Sequence, residues 1–125
     1  MQRVSNSSKA ALLFEGGFRI FFLSAAAYAA LIMVLWITDR TGSNEILGTF
    51  SLLPGSLWHA HELIFGFIMA VVAGFLTTAV PVWAGNPRIR GAALVLLFTL
   101  WLAGRGAVFF SEYLPMLLSL SLIHI

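Results

Sequence analysis

Cysteine is absent from this 125-residue chain. Its absence excludes disulfides, cysteine-held iron–sulfur clusters, thiolate zinc sites and covalent haem attachment through a CxxCH motif. Any metal bound here must be held by histidine, carboxylate or methionine. Charge is nearly as scarce. Only 10% of the residues are Asp, Glu, Lys or Arg, against about 25% in a soluble domain, so water is not the solvent this sequence suits. The net charge of +2 comes from residues scattered at the ends of apolar runs, which leaves no footprint for nucleic acid.

Hydrocarbon fills the space. The chain is 60% hydrophobic, and the runs 20–38, 63–87 and 91–104 carry no charged residue. A helix that crosses a bilayer needs about 20 mostly apolar residues. The expected fold is therefore an all-α, polytopic transmembrane helical bundle. It has three full spanning helices, at about 17–38, 57–83 and 87–110, plus the start of a fourth, in one transmembrane domain over 1–119. The first run exceeds the ~7–15-residue core of a secretory signal, and 38–41 offers no small-residue cleavage site. It is read as a retained helix. The last six residues, 120–125, look like the translation of a sequencing-library adapter, and they are set aside as non-native together with His124.

Several local signals refine this outline. Ser56, after Pro54-Gly55, is placed to cap helix two, and Trp58 and Trp83 fall near its ends, where indoles favour the membrane interface. Asn86-Pro87 reads as a cap and first-turn proline, so a short link makes helices two and three antiparallel neighbours. Arg3, Lys9 and Arg19 flank helix one, and Arg88 and Arg90 lie in the second link. The first loop has only Arg40, beside Asp39 and Glu45. The positive-inside rule then puts the N-terminus in the cytoplasm of a bacterial inner membrane and residues 57–62 at its periplasmic face.

The chemistry concentrates in LWHAHELIFGF, residues 57–67. At about 100° per residue, His59 and Glu62 share one helix face with Gly66, Ala70, Gly74 and Thr77, a small-residue stripe that lets helices approach in lipid. His61 falls on the bulky stripe of Phe65, Ile68, Val72 and Phe75 unless the first turn is irregular. Imidazole ligates copper, zinc and haem iron, and a ligating histidine needs an acceptor behind it, a part that suits Glu62. The plainer alternative is an interfacial histidine bonded to headgroups or a loop carbonyl. Arg105, in helix three, should lie at the depth of Glu62 and pair with it, or hold an anionic group such as a haem propionate. Its plainer alternative is snorkelling to the interface. Glu15 and Arg19, four apart, should pair locally. Pro81 should kink or end helix two, and Trp101 reads as packing.

The segments GFRIFF (17–22), LWHAHELIFGF (57–67), VAGFLTTAVPVW (72–83) and LWLAGR (100–105) resemble the NnrS family of polytopic bacterial membrane proteins. Ile20 departs from that pattern, where a proline is usual, and so does the 82–85 segment, where Asn-Trp-Thr-Gly is usual. The resemblance implies a protein of about twelve spanning helices, of which this is an N-terminal piece, containing haem and copper and serving the nitric oxide and nitrosative-stress response linked to denitrification. It makes His59 and His61 candidate haem or copper ligands, with Arg105 a cofactor contact and Glu62 a support. The implied partners are the lipid bilayer, the remaining helices, and nitric oxide or a nitrosylated species. No residue acquires a catalytic assignment. A transporter and a metal-free structural membrane subunit remain the rival readings.

Overall fold

The computed structural model describes residues 12–42 and 46–122; Arg3, Lys9, Asn44, Glu45 and His124 lie outside them. Helix α1 is Gly17–Thr41, α2 is Ile46–Phe50, and α3 is the long helix Gly55–Trp83. Helix α4 is Ala92–Phe109, a 3-10 turn covers Ser111–Tyr113, and α5 is Met116–Leu122. The described residues contain no strand. As the apolar runs required, α1, α3 and α4 are each long and apolar enough to cross a membrane. Where the start of a fourth span was expected, α5 supplies seven helical residues.

Helices α1 and α3 run antiparallel in close contact, and their register can be followed down the interface. A Cβ on Gly55 would meet Asp39 Oδ2 at 2.6 Å. One level in, His59 stacks on Trp36. Next come Tyr28 against Glu62 and Gly66, then Phe21 and Phe22 against Gly74, and last Gly17 against Thr77. The expected small-residue stripe of α3 is the buried one: Glu62, Gly66, Ala70, Gly74 and Thr77 all lie inside, while Ile68, Val72 and Phe75 face outward. At the far end, any side chain on Gly17 would collide with the Thr77 hydroxyl. One residue on, the Phe18 N–H donates to Thr78 Oγ1 at 3.2 Å. Helix α1 has no side-chain cap of its own, so α3 caps it across the interface.

Several local expectations give way. Ser56 does not cap helix two, because the helix already includes Gly55 and its N-cap is Pro54. Trp58 is not an interfacial ring: it is 1% exposed and packs with Ile32, Leu47 and Val108. The loop before it folds back as α2, pinned where the Leu47 N–H donates to Asp39 Oδ1 at 2.7 Å, and this lid covers the indole. Trp83, 72% exposed, keeps the outward position expected of it. Helix three begins at Ala92, not Pro87. Residues 86–90 run without helix, and Gly91, at φ 64°, turns the chain in the left-handed region that glycine tolerates. Its N–H donates to Phe14 O at 3.0 Å, tying the start of α4 to the segment before α1. Helix α3 passes through Pro81 and ends at Trp83, as expected of helix two.

Candidate metal centre

Within α3, Glu62–Ile68 is a π-helical stretch, an irregularity frequent at functional sites. The sequence holds a reason for it. Glu62, Gly66, Ala70 and Gly74 are spaced by four, and on a regular helix of 3.6 residues per turn three such steps would drift about 120° around the axis. A stretch closed by i to i+5 bonds takes more residues per turn, and it holds the four on one face toward α1. A widened turn loosens the backbone ladder, and here α4 compensates: Trp101 Nε1 donates to Gly66 O at 3.0 Å. Trp101 is thus more than a packing residue.

Glu62 is fully buried and surrounded by donors. Tyr28 OH donates to Oε2, Arg105 Nη1 donates to the same oxygen at 3.3 Å, and His61 Nδ1 lies 2.9 Å from Oε1. The expected pairing of Glu62 with Arg105 is therefore present, and it is buried on both sides. An unpaired carboxylate at this depth would be strongly unfavourable. Gly66 makes the arrangement possible, since a Cβ there would strike the Tyr28 ring edge and stand 3.0 Å from Glu62 Oε2. Tyr28 in turn packs edge-on to Trp101, with ring centroids 5.5 Å apart.

His61 does not lie out on the lipid face. Its side chain is 12% exposed, drawn to Glu62 where the π stretch begins and tilted against Phe65 at 4.7 Å. The turn that carries it, Gly55–His61, is regular helix, and the ring keeps the place beside Phe65 that the helix spacing assigned it while reaching Glu62. His59 faces α1 as expected, stacked on Trp36 with centroids 4.7 Å apart and planes 24° off parallel. Its Nδ1 is buried with no hydrogen-bond partner among the described residues, as is Trp36 Nε1. The two imidazoles serve different neighbours, so this segment alone does not present them as a pair to one ion. Among the described residues no group of three or more His, Cys, Asp or Glu could hold a metal.

Sequence reasoning located Glu62, Arg105 and both histidines but missed Tyr28. The available signal was its place near the middle of a charge-free run, far from the interface where tyrosines collect. It also missed Trp36 as the platform under His59. Beside the network, Tyr28, Ile32, Trp58, Arg105 and Phe109 border an almost wholly apolar cavity of about 270 Å³. At the opposite end of the bundle, Arg19 pairs with Glu15 at 3.5 Å, near the exposed Arg88 and Arg90 link.

Three apolar helices of spanning length, joined by an ionic cluster buried among them, define a polytopic α-helical membrane protein. The sequence model of the family described as "NnrS protein" matches residues 12–125, and the chain belongs to that family. No curated protein and no solved structure matches it.

Proposed function

We propose that the chain contributes to a haem- and copper-binding membrane protein of the nitric oxide response, with its metal-binding end at the periplasmic face of a bacterial inner membrane. One observation carries this reading: His61 Nδ1 lies 2.9 Å from a carboxylate oxygen of the fully buried Glu62. Donating Nδ1–H to a carboxylate selects the tautomer whose lone pair is on Nε2 and makes that nitrogen a better ligand. The residues fit the implied groups. His61 would ligate through Nε2, held in orientation by Glu62. His59 brings a buried Nδ1 without a partner among the described residues, which suits a ligand or a hydrogen bond to a bound group. Arg105, on the wall of the apolar cavity, would take an acidic substituent such as a haem propionate. When bound, iron or copper would supply a coordination position for nitric oxide or a nitrosylated species, together with one-electron chemistry. The other ligands come from outside the described residues.

The orientation is supported by Arg19, Arg88 and Arg90 at one end against Arg40, beside Asp39, at the other. The test is spectroscopic. Purified full-length protein should show a haem Soret band and bind copper, and His59→Ala or His61→Ala should abolish one of these signals. A colourless, metal-free protein under anaerobic, metal-replete conditions would overturn the reading. It would leave the transporter and the structural subunit, and the buried Glu62–Arg105 pair is the observation that supports the latter.

A further inference from the structure

The two oxygens of Glu62 are loaded unequally. Oε1 faces His61 Nδ1 at 2.9 Å, whereas Oε2 takes both Tyr28 OH and Arg105 Nη1. The arginine contact, at 3.3 Å, lies just beyond the usual N–H···O range of about 2.7–3.2 Å. A carboxylate divides one negative charge between its oxygens, so donors at Oε2 draw density away from Oε1 and weaken its pull on the His61 proton. In a water-poor interior such linked hydrogen bonds polarise one another.

Space filling alone does not explain the residue. Phenylalanine would pack equally well edge-on to Trp101 and over Gly66, and it would bring no hydroxyl needing an acceptor into an apolar span. Instead the hydroxyl ends on the one carboxylate that also holds His61, and Gly66 is kept clear for the ring to reach it.

We propose that Tyr28 is a positioning residue: by donating to Glu62 Oε2 it limits how strongly Oε1 holds the His61 Nδ1 proton, and thereby sets the electron richness of His61 Nε2. Its consequence for a bound metal rests on the function proposed above, but its effect on His61 does not. Removing the donor makes His61 more imidazolate-like and a stronger ligand, which favours the oxidised metal. Strengthening the donor does the reverse.

The experiment is nitrogen NMR on histidine-labelled, metal-free full-length protein, followed by redox titration after metal loading. Tyr28→Phe keeps the ring, and it should move the His61 Nδ1–H proton downfield and the Nδ1 nitrogen toward its imidazolate position. A ring-fluorinated tyrosine at position 28, a stronger donor, should move both the other way. In the loaded protein the midpoint potential should fall in Tyr28→Phe by up to a tenfold change in the one-electron equilibrium, about 59 mV. It should rise with the fluorinated ring. Unmoved His61 resonances, or movement in the same direction in both variants, would overturn the proposal and leave Tyr28 as filler. Opposed movements in a protein that takes up neither haem nor copper would uphold the role of Tyr28 and overturn the metal reading instead.

Discussion

Near Gly17, helices α1 and α3 meet through small groups: a glycine against a threonine, a backbone N–H against a hydroxyl, and Phe21 and Phe22 laid over Gly74. Near Glu62 the same two helices meet through a buried carboxylate, a phenol, a guanidinium from α4 and an imidazole, on a backbone that leaves the regular helix. Close packing of small groups, with one hydrogen bond from Phe18 N–H to Thr78, is the kind of contact that joins helices in lipid. Joining α1 to α3 does not by itself call for a polar cluster. Desolvating an ion pair is unfavourable enough that such a pair often stabilises no better than apolar residues would. The Glu62 end is thus organised around orientation, with one carboxylate fixing one imidazole, and the Gly17 end around adhesion.

The largest expected effect comes from breaking the polar end. Glu62→Ala removes the buried carboxylate that Arg105 and Tyr28 share and should destabilise the protein by about 3–5 kcal/mol, read as a lowered unfolding midpoint in detergent. Glu62→Gln combined with Arg105→Met removes both charges together and should recover most of that loss while leaving His61 only a neutral acceptor. If the double variant is as unstable as Glu62→Ala, the cluster is structural and the contrast between the two ends collapses.

Gly17→Leu attacks the other end. The side chain has no room beside Thr77, so the helices must separate, at about 1–3 kcal/mol for overpacking. The Phe18 bond to Thr78 should weaken with it. Hydrogen exchange should quicken at the start of α1 while the surroundings of His61 keep their protection. Loss of protection at both ends would mean that they do not behave independently.

The smallest effect tests the joint between them. Trp101→Phe keeps a ring against Tyr28 but removes the bond to Gly66 O, and it should cost about 1 kcal/mol. The exchange of amides in 62–68 should change more than global stability does. An unchanged exchange pattern there would show that the widened turn does not depend on α4.

Much of this was legible in the amino-acid order because it derives from periodicity and depth. Charge-free runs gave the spans, the four-residue spacing gave the buried face of α3, and equal distances from two helix ends brought Glu62 to Arg105. What escaped depended on contacts between elements. Tyr28 is an ordinary aromatic in its own helix and becomes a donor only when Gly66 and Glu62 arrive opposite it. Trp58 stands where an interfacial ring belongs, and it is buried because α2 folds over it. The π stretch begins only after His61, and no single residue announces it. It reflects the competition between a four-residue spacing and a 3.6-residue helix. Asn86-Pro87 had the form of a helix start, but the chain travels on to Gly91, whose bond to Phe14 O decides where α4 can begin.

The widened turn also makes the helix sensitive to its own winding. Were residues 62–68 to close into a regular helix at unchanged length, everything on the histidine side would swivel by about 100°. His59 would leave the Trp36 ring, and Trp58 would be wrenched from beneath its lid, although no side chain at the site had been altered. Numbering phase, as much as residue identity, keeps the imidazoles where they are.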